Sequence, residues 1–255
     1  MFDIWSLRFV VFLLDRDFNY QFMTKDGCII CGSDLVYSER SEVMQCSICK
    51  GSYDSNAKCT EGHFVCDACH EMEGFDYISA FCCISNSTNP VEIADQIMGN
   101  PKIKLHGPEH HFLVPAVLLT AYYNKTGKPE MIREKLRIAR QRAKVVLGGF
   151  CGFYGTCGAA IGTGIFMSVM SGATPLSKEE WTLSNRITAA CLYEIANIGG
   201  PRCCKRVTYL ALGKAVEFIE EHLDVILDPT EVTCSWYKRN KECISNECPF
   251  FPGNK

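Results

Sequence analysis

Two tight cysteine turns and a cysteine–histidine run near the N-terminus restrict this fold more than anything else in the chain. Cys28-Ile29-Ile30-Cys31-Gly32 and Cys46-Ser47-Ile48-Cys49-Lys50-Gly51 are CxxC turns, and Cys59, His63, Cys66 and Cys69 follow as a CxxxHxxCxxC run. Such turns present paired thiolates at the spacing a tetrahedral metal needs. A segment this short carries too little apolar surface to fold on its own, so zinc is expected to supply folding free energy on the order of 10 kcal/mol. Two structural zinc sites are therefore predicted. Sequential pairing assigns one to Cys28, Cys31, Cys46 and Cys49 and the other to Cys59, His63, Cys66 and Cys69. A cross-braced pairing would join the first pair to the third and the second to the fourth. Ribbon spacing in the first four favours the sequential arrangement. A closed four-ligand site leaves no position for catalysis, so these residues are read as scaffold, and a module that docks protein or nucleic acid is the functional alternative. His70 is a spare imidazole beside the second set.

Cysteine chemistry also bounds the compartment. Seventeen cysteines is an odd count, and the apolar run Phe9–Leu14 is flanked by Arg8 and Asp15-Arg16-Asp17 without small residues for cleavage. That run is too short to cross a bilayer. A reducing cytoplasm with metals on the thiolates is expected rather than a disulfide scaffold. The net charge of −3 provides no basic field, so neither nucleic acid nor a membrane is an expected partner. With 255 residues and 47% hydrophobic content, the chain can bury a real core.

Four segments are read: a lead-in over 1–24, a zinc-binding module over 25–80 of ribbon or treble-clef type, a helical domain over 81–228 and a cysteine-containing tail over 229–255. The fold class is mainly α. A helix after Cys69 is expected to run through Ile78 and to be interrupted at Cys82-Cys83. Asn89-Pro90 starts another, with Asn89 as cap. The run from Phe112 to Tyr123 is a buried helix with Pro115 in its first turn. Residues 130–145 are amphipathic, with Ile132, Leu136 and Ala139 on one face and a solvated basic face. Ser177 with Glu180 reads as a capping box opening a helix to about Ala196. Gly199-Gly200-Pro201 breaks the chain, and a last helix carries Val207, Leu210 and Ile219.

Chemistry is expected where glycines lead into cysteines at helix starts. Gly148-Gly149-Phe150-Cys151-Gly152 runs on to Cys157-Gly158-Ala159-Ala160, and Gly199-Gly200 runs on to Cys203-Cys204-Lys205-Arg206. Glycine admits a ligand close to the backbone, and a helix N-terminus lowers a thiol's pKa. Neither GxxxxGK[ST] nor a strand-linked GxGxxG is present, which argues against a nucleotide loop. His106, Glu109, His110 and His111 gather before the buried helix and supply candidate acid–base groups. The tail adds Cys234, Cys243 and Cys248, which can supply a ligand by folding back.

Phe112–Leu118, Cys157–Gly162, Gly172-Ala173-Thr174-Pro175 and Gly199-Gly200 through Cys203-Cys204-Lys205-Arg206 to Val216 occur in the order seen in the α domain of iron–sulfur L-serine dehydratases. Over roughly residues 105–220 the chain resembles that domain. The whole chain also resembles an uncharacterised family of anaerobic archaea and bacteria. The dehydratase resemblance implies an all-helical domain holding a 4Fe-4S cluster with one open iron. Cys157 then matches the first cluster cysteine, Cys203 the last, and Arg206 the arginine after it. The chain departs from the pattern where Ile195 replaces the middle cysteine, where four residues after the glycines are missing, and where His106–His111 replaces the Thr-Asn-Gly substrate loop. A third ligand then falls to Cys204, Cys151, Cys191 or the tail, and serine is not carried over as substrate.

These readings predict an iron–sulfur-dependent lyase acting on a small hydroxy- or thio-compound, with His110 or Glu109 as base. The competing class is non-enzymatic, a zinc-ribbon interaction protein or a metal or sulfur carrier.

Overall fold

The computed structural model describes residue 28, residues 33–66, residue 69 and residues 73–254. The lead-in over 1–24, Cys31 and His70 lie outside the described residues. The fold is mainly helical, with one small antiparallel sheet toward the N-terminus.

Strand β1 (Leu35–Gln45) turns through Cys46–Gly51 into β2 (Ser52–Cys59). Leu35 faces Cys59 at one end and Gln45 faces Ser52 at the other, with an irregularity between Tyr37 and Glu42. Both faces of β1 are exposed except at Met44. The hairpin therefore lacks an apolar face of its own, as its short polar sequence implies.

Eight helices follow among the described residues. Helix α1 (Gly74–Ile84) runs straight through Cys82-Cys83, contrary to the expected interruption, because Cys82 is a fully buried filler facing the core. Helix α2 (Pro90–Met98) starts as predicted, with Asn89 Oδ1 accepting from the amides of Val91 and Glu92.

Helix α3 (Glu109–Lys125) is apolar on all sides and forms the centre of the domain. An all-round apolar helix has no face to give to solvent and must be surrounded. It begins three residues earlier than expected, since Pro108 already holds an αR backbone at its start. Pro115 thus lies beyond the first turn, where it cannot donate to the His111 carbonyl. Gly162 packs there, and a Cβ on it would come within 2.9 Å of Pro115 Cδ and 3.2 Å of the His111 oxygen.

Helix α4 (Ile132–Ala143) buries Ile132, Leu136 and Ala139 as its periodicity predicts. The short α5 (Phe150–Phe153) leads to α6 (Gly158–Ser171), whose small residues lie against α3 and α7. Helix α7 (Glu179–Ile198) has no side-chain cap. The expected capping box is not formed, because Ser177 Oγ accepts the Thr174 amide at 3.0 Å and closes the preceding turn. Helix α8 (Cys204–Leu223) begins after the glycine break, and the tail returns so that Trp236 packs on Tyr209. No helix among the described residues is long and apolar enough to cross a membrane.

Candidate functional site

The N-terminal thiols form two groups. Ligand atoms of Cys46, Cys49, Cys66 and Cys69 lie within 4.8 Å of one another, as do those of Cys28, Cys59 and His63. This is the cross-braced arrangement and corrects the sequential pairing. The reason is topological: β1 lies between Cys28 and the Cys46–Cys49 turn, which sits at the far end of the hairpin from Cys59. Cys59, at the end of β2, returns beside Cys28, while the turn at Cys46 meets the segment around Cys66. Ser47 donates its amide to Phe64 O at 2.8 Å, and the Cys66 amide donates to Cys46 Sγ at 3.4 Å. Cys49 and Cys66 sulfurs stand 3.8 Å apart, the edge of a tetrahedron with metal–sulfur bonds of about 2.3 Å. A metal ion such as zinc fits the four cysteines.

Burial pushes the Cys49 thiol up, but the Gly51 amide, the Tyr53 hydroxyl and the neighbouring thiols of Cys46 and Cys69 bring it down to about 6. Burial and hydrogen bonding with Cys66 and Cys49 hold Cys69 up. One thiolate forms readily in this group, and further ionisation waits for a cation.

The glycine–cysteine stretches meet as well. Cys151, Cys157, Cys203, Cys204, His110, His111 and Arg206 line a single cavity of about 410 Å³. Cys157 precedes α6 and Cys203 precedes α8, each as the helix N-cap. Burial raises the Cys157 thiol, while the amides of Ala159 and Ala160 oppose that rise. Burial likewise lifts Cys204 to about 11, opposed by the Gly107 amide and reinforced by Cys157, Cys203 and Cys151 nearby. These are thiols clustered in a desolvated wall, which favours ionisation only with a bound cation. Cys191, one of the candidate third ligands, instead packs between α7 and α8, its Sγ 3.6 Å from Ala211 O.

The histidine–glutamate cluster is divided by the fold. His110 is buried, with Nδ1 2.9 Å from Thr208 Oγ1 and Nε2 3.2 Å from Lys104 O. Both nitrogens are engaged, and burial drops its pKa to about 3. His111 donates from Nδ1 to Val146 O at 2.8 Å, which leaves Nε2 as the unprotonated nitrogen. Its ring lies over Gly158, where an added Cβ would approach Nε2 to 2.3 Å. Burial lowers its pKa also. His106 turns to the tail, with Nε2 near Asn240 Oδ1 and Glu242 Oε2. Glu109 is buried beneath Gly107 with Lys104 Nζ at 3.7 Å, and its Oε2 lacks a hydrogen-bond partner among the described residues. Neither His106 nor Glu109 is among the residues lining the cavity.

Arg206 is 3% exposed. Its Nη2 donates to Gly199 O and Pro201 O at 2.8 and 2.6 Å, fastening the glycine loop, while its Nε has no partner among the described residues. The neighbouring Lys205 is 1% exposed. It donates to Met98 O and Ile103 O and sits 5.1 Å from the Trp236 ring centroid. Burial depresses its pKa to about 8. Sequence reasoning passed over Lys205 and Thr208. The available signal was the basic pair at the start of a helix otherwise patterned for burial.

Neither a search of curated proteins nor a search of solved structures returns a match. A family of unknown function, DUF5714, matches residues 78–251, a span holding all eight helices but for the first turn of α1. The chain belongs to that family.

Proposed function

We propose that the protein is an iron–sulfur-dependent lyase that eliminates water or a sulfur group from a small hydroxy- or thio-compound, with zinc on the N-terminal thiols as scaffold. The observation that carries this reading is the convergence of Cys151, Cys157 and Cys204 with His111 and Arg206 on one cavity. Three thiolates hold a cluster and leave one position open. The cluster, when bound, supplies an iron that draws charge from the departing hydroxyl or thiol. Cys203, rather than being a main ligand, closes the wall beside them.

His111 is the base in this scheme. Its bare Nε2 faces the cavity and takes the proton from the carbon next to the one losing its leaving group, while Nδ1–H stays on Val146 O to hold the tautomer. His110, already committed to Thr208 and Lys104, orients α3 instead. Arg206 and the start of α6 provide positive potential for a substrate carboxylate. Exposed Cys151 at the cavity favours the second reading, a metal or sulfur carrier, which would pass its cargo to an acceptor without turning over a small molecule.

The test is oxygen-free purification with metal, sulfide and visible-spectrum analysis. A brown protein containing iron, sulfide and zinc is expected. C157A and C204A should remove iron bound in this cavity and leave zinc in place, and H111Q should retain iron while lowering elimination about 10²–10⁴-fold. A colourless protein with zinc alone would overturn the proposal.

A further inference from the structure

Helix α7 gives the large cavity neither a cysteine nor a charge. Its lining residues are Leu192, Ile195 and Ala196, at the i, i+3, i+4 spacing that shares one helix face. Val207 adds an apolar group from the first turn of α8. Leu192, Ile195 and Val207 are only half-buried although they pack on the core. An apolar wall left open to a cavity of about 410 Å³ is the usual lining of a small-molecule site, where it receives the hydrocarbon of a ligand while a few polar groups fix its orientation.

The charge around the cavity has one sign. Among the described residues no aspartate or glutamate lines it, whereas Arg202 and Arg206 both do. Neither guanidinium forms an ion pair among the described residues. Arg202 is exposed at the end of the glycine loop. Arg206 is buried, and the acceptors of its Nη2 are two neutral carbonyls. A buried cation is favoured by a counter-charge, and the starts of α6 and α8, which also line the space, add to the positive potential.

We infer that the substrate is an aliphatic monocarboxylate bearing a hydroxyl or thiol, with its carboxylate at Arg202 beside the Gly199–Pro201 loop and its hydrocarbon along Leu192, Ile195 and Val207. This names the substrate class of the elimination proposed above and rests on that reading for the fate of the ligand, though not for its binding. A second carboxylate on the chain would be driven against hydrocarbon, and an amine head would meet like charge. The step balances without an oxidant. The C–H bond next to the carbon bearing the leaving group breaks, its proton goes to His111 and its electron pair forms the double bond. The C–O or C–S bond then breaks, and the departing group leaves with a proton as water or hydrogen sulfide.

The experiment titrates the full chain, purified without oxygen, with butanoate, hexanoate, adipate and hexylamine in a calorimeter. Binding is expected to tighten about fourfold per methylene from butanoate to hexanoate, with adipate and hexylamine each at least roughly tenfold weaker than hexanoate. I195A should flatten the dependence on chain length and lose about threefold to tenfold on hexanoate. R202Q, a change at an exposed position, should weaken both monocarboxylates alike by roughly tenfold and keep that dependence. Equal affinity for butanoate and hexanoate, hexylamine or adipate binding as well as hexanoate, or hexanoate binding untouched by both I195A and R202Q would each overturn the inference. No turnover is read, so the two proposals fail separately. A protein without iron that shows the chain-length dependence sinks the lyase alone, whereas an iron-loaded protein that performs elimination but binds the two acids equally sinks the substrate class alone.

Discussion

At the scale of single residues, the two cavity-facing histidines differ through one hydrogen bond. His110 spends both nitrogens on Thr208 and Lys104, whereas His111 spends only Nδ1 on Val146. Burial also makes His110 a pH-dependent element of stability. Its native pKa is about 3 against an ordinary 6.5, so between those values the unfolded chain binds a proton that the native chain does not. The stabilisation is complete above about 6.5 and is lost as pH falls toward 3, by at most about 1.4 kcal/mol per pH unit. Urea denaturation at pH 7 and pH 5 should show a steeper acid loss in wild type than in H110Q. Parallel slopes would contradict a buried neutral imidazole. His111, shifted in the same direction, adds to the slope in both proteins.

At the scale of elements, glycine determines how closely α6 approaches its neighbours. Gly162 lies against Pro115 and Val114 of α3, and a Cβ on Gly164 would meet Thr188 Oγ1 of α7 at 2.1 Å. A Cβ on Gly213, inside α8, would meet nothing within 4 Å. Opposite effects are therefore expected from one chemical change. G164A should destabilise by about 1–3 kcal/mol through overpacking, whereas G213A should stabilise by roughly 0.5–1 kcal/mol because alanine is the better helix former. Midpoints of chemical denaturation decide the matter, and a loss in G213A would mean that α8 meets a surface not accounted for. The small residues of α6 were legible as a close-packing helix. Their partners were not, because nothing local in a sequence states which helix will lie alongside.

At the scale of the whole molecule, the N-terminal module and the helical domain are stabilised by different physics. The domain buries a large continuous cluster centred on Phe112–Ala121 and Phe166. Within residues 33–66 burial is confined to Met44 and three cysteines, Cys46, Cys59 and Cys66. Removing the zinc proposed for the N-terminal thiols with a chelator should therefore make the segment around the hairpin sensitive to protease while the helical circular-dichroism signal persists. Concerted loss of both would show that the module is a structural part of the domain.

Local chemistry was readable from sequence alone. The cysteine spacing identified thiols that the fold groups so that they could hold a metal ion, the Asn89-Pro90 pair identified a helix start, and the apolar run from Phe112 identified the central helix, because each depends on residues only a few positions apart. Associations across distance were decided by the tertiary structure. The length of β1 converts an expected sequential pairing into a cross-braced one, and the depth of Glu109 and the turn of His106 toward Asn240 take both away from the cavity. The return of the tail brings Cys234, Cys243 and Cys248 to Cys203. A loop's residues can be read one by one, but the path by which a chain closes on itself is set by competition for burial across the whole core, and no short stretch of sequence carries that competition.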